Sequence, residues 1–340
     1  MPVKSESWQV SEWGLAQLEK FESECPEPSA GEVQVAFQAA SLNYRDLLVV
    51  EGKYNPKFPR PLVPCSDGFG SVVAVGPGVD ESLLKKSVLT NFCPDWSSGE
   101  PREKVLRRTL GGPLQGALQQ RRNFAVSELL WLDEPAALTP GEWATLPCAG
   151  VTAWNCLSGL KPGQTVLLIG TGGVSLFGLQ IAKMHGARVL ILSSSAEKRQ
   201  WAKEMGADAV SDYQDTDWGR WALEQTEGRG VDLVLETGGA GTLAQSLKAV
   251  KVGGTIALIG VLSGSKEPLN ILPLVMKSVK VQGVVVGHHQ HAEELVQAYL
   301  QSMQRPVIHE TFAWDEVPAA FEALASGRQF GKLVIEIPQN

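Results

Sequence analysis

The chain has 340 residues, 44% hydrophobic and 20% charged, with a formal net charge of −7. These values suggest two domains able to bury large cores, and the acidic balance excludes nucleic-acid binding as the main task. No apolar run approaches the roughly 20 residues of a membrane span, and the first residues carry no apolar signal core. Five widely spaced cysteines, Cys25, Cys65, Cys93, Cys148 and Cys156, do not resemble a disulfide framework, so a reducing, cytoplasmic setting is expected.

The first half predicts short strands with Gly/Pro punctuation. "EVQVAFQAA" (32–40) alternates apolar and polar residues, and "GSVVAVGPGV" (70–79) is a β-branched run ending in a turn. This rhythm points to a barrel or sandwich. Between these runs, "PLVPCSDGFG" (61–70) places a thiol, a hydroxyl and a carboxylate side by side at Cys65-Ser66-Asp67. From about residue 161 the rhythm changes. "TVLLIG" (165–170), "RVLILSS" (188–194), "VDLVLETGG" (231–239), "GGTIALIGVL" (253–262) and "KVQGVVVG" (280–287) read as strands separated by helices such as 174–185 and 196–207. Strands in alternation with helices imply a parallel sheet. Two amphipathic helices follow, and "KLVIEI" (332–337) is expected to return as a strand to the first domain.

The sharpest motif is "LLIGTGGVSLFG" (167–178). A strand runs into Gly170-Thr171-Gly172-Gly173-Val174-Ser175 and then a helix. Such glycines let the backbone approach a pyrophosphate at the helix N-terminus, with Ser175 in the last small-residue slot and its hydroxyl free for a phosphate contact. A purely structural turn is the competing reading. The end of the second strand reads Ser193-Ser194-Ser195-Ala196-Glu197-Lys198-Arg199. An acid for the ribose 2′-hydroxyl is missing there, while hydroxyls and cations suit a 2′-phosphate, so NADP is favoured over NAD. Ser194-x-x-Glu197 also reads as a capping box. Gly238, Gly260, Val261 and Val286, near the ends of later strands, are further expected cofactor contacts.

With "LPCAGVTAW" (146–154) before the nucleotide motif, the whole chain resembles the medium-chain dehydrogenase/reductases. The resemblance implies a GroES-like β-barrel catalytic domain (1–134 and 288–340) and a Rossmann dinucleotide-binding domain (135–287), with the active site in the cleft between them, and a homodimer. It also implies where catalytic zinc would be held in zinc-bearing members. Those slots read Asn43, Ser66 and Cys148, with Asp67 for the adjacent glutamate, and no histidine precedes His185. An amide, a hydroxyl and one thiol are a poor zinc set. Between 91 and 123 only Cys93 remains of a four-cysteine lobe, so neither zinc site is expected.

The resemblance then narrows to the zinc-free, quinone oxidoreductase-like branch. It implies substrate-side roles for Asn43, Tyr54 and Thr152, and adenosine-phosphate contacts from Lys198 and Tyr213; Ser66 and Cys148, in the zinc-ligand slots, are further candidates at the cleft, with a buried small residue the competing reading of Cys148. Lys332, in "FGKLV", resembles a basic residue near the cofactor phosphates. Cys148 and "LGGPLQG" (110–116) depart from the quinone oxidoreductases, which leaves the substrate open. Asn43, Tyr54 and Lys332 each have a structural reading beside the functional one, and Arg45 and Asp46 read as a structural pair. "HHQH" (288–291) invites a metal, but adjacent side chains diverge; His288 near the nicotinamide or a partner subunit is the better use.

The expected activity is NADPH-dependent, zinc-independent reduction of quinones or α,β-unsaturated carbonyls. Two alternatives stay open: a metal-free alcohol/aldehyde dehydrogenase, and a non-catalytic NADPH-binding sensor or RNA-binding crystallin-like protein.

Overall fold

The computed structural model describes residues 2–214 and 217–339. The chain divides into two compact units, 1–151 with 287–340, and 152–286.

The first unit is built on β-strands. Strands β1 (Val3–Val10) and β2 (Leu18–Cys25) form an antiparallel pair. The main sheet joins β3 (Glu32–Leu42), β4 (Asp67–Val75), β5 (Ser87–Thr90), β6 (Arg121–Ala125) and β7 (Leu129–Leu132). Its long central strand β3 pairs with β4, β6 and the returning C-terminal strand, and is buried along most of its length. The strict alternation read in 32–40 therefore gives way to a strand covered on both faces. Phe37 and Phe124 meet edge to face across it, with ring centroids 6.0 Å apart.

The second unit is a parallel sheet of β8 (Thr165–Ile169), β9 (Arg188–Leu192), β10 (Ala209–Ser211), β11 (Val231–Glu236), β12 (Val250–Leu258) and β13 (Lys280–Gly283). The spatial order is β10-β9-β8-β11-β12-β13. Chain direction across the sheet reverses between β8 and β11, which is where such sheets bind ligands. All five residues of β8 are buried, as its unbroken apolar run required.

The chain then rejoins the first unit through β14 (Ile308–Phe312) and β15 (Lys332–Glu336), the latter antiparallel to β3. The boundary differs from the one expected at 134/135: residues 135–151 pack with the barrel. The cause is Glu142 on the Pro140–Ala144 helix. It receives the backbone N–H of Thr139 at 2.8 Å, and Arg305 donates to both its oxygens at 2.7 and 2.6 Å. Trp143 beside it is fully buried. The later boundary lies one residue earlier than expected, at 286/287.

Candidate functional site

The first unit gathers charged side chains in its interior. Asp67 opens β4 and is fully buried. Its Oδ2 accepts from the Asn43 amide at 2.9 Å and the Cys148 backbone N–H at 3.3 Å, and its Oδ1 accepts from the Ser66 hydroxyl at 2.7 Å. Asn43, Ser66 and Cys148, spread over a hundred residues of sequence, thus meet at one carboxylate. Lys332, only 3% exposed, donates to the Leu42 carbonyl at 2.6 Å and to Asn43 Oδ1 at 2.5 Å, and stands 3.9 Å from Asp67. Burial raises the Asp67 carboxyl above its usual range; the Lys332 charge and the hydrogen bonds from Asn43, Ser66 and Cys148 oppose the rise.

Local structure explains this convergence. Asn43 caps the Tyr44–Val50 helix, and its own N–H donates to Asp46 at 2.8 Å. Asp46 is fully buried; desolvation lifts its carboxyl to about 6 against the pull of Arg45. Cys65 holds a left-handed backbone, φ 74°, which turns the chain so that Ser66 and Asp67 face Asn43. The corner is clamped from behind: a Cβ on Gly116 would stand 2.2 Å from the Cys65 and Pro64 carbonyl oxygens. Cys148 lies on a π-helical turn, Leu146–Gly150, that aims its N–H at Asp67. Its thiol is raised well above its ordinary value, chiefly by burial and then by Asp67.

Arg45 forms the outer wall. It donates to the carbonyls of Leu110 and Gly112, each at 2.7 Å, and to the Thr109 hydroxyl at 2.9 Å. Its guanidinium lies 5.1 Å from the Tyr54 ring and 4.8 Å from that of Phe92. Tyr54 is therefore tied to the same corner, half of its surface exposed. Arg45 stands 3.9 Å from Asp46, the expected pair, and its side chain also binds the 109–112 loop.

Two expected residues, Lys332 and His288, make other contacts. Lys332 was expected at the cofactor phosphates; its ammonium is instead spent inside the first unit. His288 caps the His289–Ser302 helix by accepting the His291 N–H at 3.1 Å. The two rings stack with centroids 3.6 Å apart, and Trp96 meets His288 edge-on at 5.6 Å. Thr152 is buried in the second unit.

In the second unit the strand–turn–helix forms as read. Gly170 has φ 80°, and Gly172 precedes the Gly173–Met184 helix with no side chain capping it. An added Cβ at Gly170 or Gly172 would meet no atom within 4 Å, so the turn has open space beside it at the helix N-terminus. Thr171 and Ser193 hydroxyls lie 3.4 Å apart at the adjoining strand ends. These residues fit a dinucleotide pyrophosphate. The Ser175 hydroxyl does not take part: it donates to the Ile169 carbonyl at 2.9 Å, pinning helix to strand. The cap of the Ala196–Glu204 helix is Ser195, whose hydroxyl accepts from Lys198 N–H at 3.2 Å, rather than Ser194. Arg199 donates to the Ser193 carbonyl at 2.6 Å and to Asp212 at 2.9 Å. Partial burial lowers the Lys198 amine below its usual range. Tyr213 is exposed.

At the ends of β11 and β12, Glu236 is fully buried. It accepts the N–H groups of Gly238 and Gly239 at 2.9 and 3.1 Å, so Gly238 is shaped by this carboxylate. Gly260 donates to the Glu236 carbonyl at 3.2 Å, and Val261 is exposed beside it. Val286 adopts φ 50°, a strained setting for a β-branched residue, and its carbonyl accepts from Asn155 at 2.7 Å. Sequence reasoning missed Glu236. The signal was a carboxylate closing the apolar run Leu233–Leu235 at the C-terminal end of a buried strand.

The donor chemistry in the first unit does not fit zinc. The amide of Asn43 is shared between Lys332 and Asp67, the Ser66 hydroxyl donates to Asp67, and burial raises the Cys148 thiol well above its ordinary value. An ammonium stands among them, where a divalent cation would be repelled.

Comparison with known proteins completes the assignment. Residues 29–134 match the alcohol dehydrogenase GroES-like domain, and 173–301 match the family described as zinc-binding dehydrogenase. A zinc-type alcohol dehydrogenase-like protein of Schizosaccharomyces pombe is 36% identical, covering 95% of this chain and 96% of that protein. Acryloyl-coenzyme A reductase of Metallosphaera sedula is 27% identical, over 91% of this chain and 93% of its own. A solved structure of a Sinorhizobium meliloti protein described as of alcohol dehydrogenase type superposes with a TM-score of 0.91 at 39% identity, over 99% of this chain and 100% of its own. On this fold, these domains and these relatives, the chain belongs to the medium-chain dehydrogenase/reductase superfamily and is an oxidoreductase.

Proposed function

We propose that the protein is an NADPH-dependent, zinc-independent reductase of conjugated carbonyl compounds, α,β-unsaturated carbonyls or quinones. The observation that carries this reading is the cluster around Asp67, where hydrogen-bond donors and a buried ammonium stand in the slots that hold metal in zinc-bearing relatives. Bound NADPH supplies a hydride from nicotinamide C4. When hydride adds to the far end of a conjugated system, the electron pair moves onto the carbonyl oxygen, which then needs only donors. Asn43 has one amide N–H engaged by Asp67 and a second with no partner among the described residues. That second N–H suits a developing oxyanion. Protonation by solvent, at the α-carbon of an unsaturated carbonyl or at oxygen in a quinone, then completes the reduction.

An unconjugated alcohol would need its proton drawn off by a base or a Lewis acid. Asp67 is encumbered by three donors, and Cys148 is held as a neutral thiol, so neither serves as that base. The acryloyl-coenzyme A reductase among the relatives supports a reductive role on an activated alkene. NADPH is preferred in this reading because Ser193, Ser194, Ser195 and Lys198 supply donors where a ribose-binding acid would stand. A homodimer and a cytoplasmic setting remain part of the proposal.

The test is consumption of NADPH, at matched NADH, with 1,2-naphthoquinone, 9,10-phenanthrenequinone and a panel of enones and enoyl thioesters. Turnover on one class with NADPH preferred is expected. Tight NADPH binding with silence across the panel would favour a non-catalytic binder, and metal analysis finding stoichiometric zinc in untagged protein would refute zinc independence.

A further inference from the structure

We infer that Lys332 and Asp67 act together as positioning residues that lock the Asn43 amide in the one orientation able to offer an N–H to substrate. This rests on the reading of Asn43 as the donor proposed above. The argument is electrostatic. The Asn43 amide lies between an ammonium 2.5 Å from its oxygen and a carboxylate 2.9 Å from its nitrogen. Rotating the amide by half a turn would set N–H against ammonium and carbonyl against carboxylate. Both contacts would be repulsive in a buried, low-dielectric setting. The amide therefore has a single state, with its carbonyl spent on Lys332 and one N–H spent on Asp67.

The rest of the cluster serves the same end. Lys332 is fixed by the Leu42 carbonyl, Asp67 by Ser66 and the Cys148 N–H, and the Asn43 backbone by Asp46. Each member of the trio is thus held by something other than the other two. A solvated lysine or a phosphate-binding lysine would not be 3% exposed and bonded to two internal carbonyl groups.

Steady-state kinetics and NADPH titration of Lys332→Met, Asn43→Ala and the double variant test the inference. Lys332→Met is expected to lower kcat by about tenfold or more, with KM and NADPH affinity changed by less than about threefold, as for loss of an oriented donor. In the Asn43→Ala background the same change should cost almost nothing further, because the two residues act as one unit. Lys332→Arg, which keeps the charge, should recover part of kcat. Weakened NADPH binding with kcat preserved at saturation would return Lys332 to the phosphates and overturn the inference. So would an unchanged kcat, or effects of the two substitutions that multiply. Should Lys332→Met melt early, Asp67→Asn and Lys332→Arg provide the same readouts in a folded chain. If the wild type turns over nothing in the panel, the proposed function fails separately, and selectively ¹⁵N-Asn-labelled protein still decides the inference. The Asn43 side-chain amide, assigned by its absence in Asn43→Ala, should give one sharp pair that broadens or splits in Lys332→Met; an unaltered pair would overturn it.

Discussion

Asn43 bears three constraints at once: its backbone caps a helix, its carbonyl faces an ammonium and its amide nitrogen faces a carboxylate. Removing the amide while leaving the fold should therefore show in chemistry rather than in binding. Asn43→Ala is expected to lower kcat about 100-fold with NADPH affinity retained, the scale of a lost oxyanion donor. A variant with kcat intact would move the donor elsewhere. Lys198 allows a cleaner cofactor prediction. Lys198→Ala should weaken NADPH binding about tenfold and leave NADH binding unchanged, since only the former carries the 2′-phosphate for a charge-assisted bond; fluorescence titration with both cofactors reads this directly. Much at this scale was legible in sequence, because Asn43, Ser66 and Cys148 sit in family slots. The role of Lys332 was not. Position 332 says only that a lysine follows a glycine, and whether it faces solvent, phosphate or Asn43 depends on the antiparallel pairing of β15 with β3, a contact across 290 residues.

At the scale of elements, the strand–turn–helix around Gly170 was readable because backbone geometry, rather than distant packing, dictates it. Capping was read one residue early at Ser194, where three successive serines offer the same chemistry and the cap falls on Ser195. The His289–Ser302 helix carries a pH prediction. His288 and His291 stack at its N-terminus, with Trp96 packed on His288, Glu294 nearby, and His289 facing Asn91 at 3.5 Å and Glu293 at 3.5 Å. Burial lowers both of the stacked imidazoles, His291 to about 4. An unfolded histidine binds its proton near pH 6.5, so between about 6.5 and 4 the unfolded chain holds more protons and stability falls as pH drops. Asp46 acts in the opposite sense. Its carboxyl, raised to about 6, takes a proton in the folded state first, so acidification relieves a buried charge. In denaturant titrations from pH 7 to 4.5, His288→Asn with His291→Gln should flatten the loss of stability, since asparagine keeps the cap without titrating. Asp46→Asn should steepen it. Equal slopes in all three proteins would show that these groups do not set the acid response.

For the whole molecule, the two-unit plan was legible from the change of rhythm near residue 161, but its first boundary was not, because residues 135–151 are claimed for the barrel by the ion pair between Glu142 and Arg305, residues 163 apart in the chain. The second unit also leaves something unfinished. Strand β13 is exposed along its four residues and pairs with β12 on one side only among the described residues. An open edge of this kind invites another strand unless it is guarded. Here it is flanked by exposed apolar side chains instead: Val281 and Val285 on and beside the strand, and Ile271, Leu272, Val275 and Met276 on and beside the Leu272–Met276 helix. A group of exposed apolar side chains of this kind suits an association site. In the proposed homodimer a second copy would occupy it, since two β13 edges can pair about a two-fold axis and such closed, isologous contacts are the commonest in homo-oligomers. Val275→Glu with Met276→Lys should convert a dimer to a monomer in light scattering at micromolar protein, with each subunit's NADPH affinity retained because the Gly170 turn follows β8, three strands away from β13 in the sheet order. A double variant that stays dimeric would place the subunit contact on another face and leave this edge to a different partner.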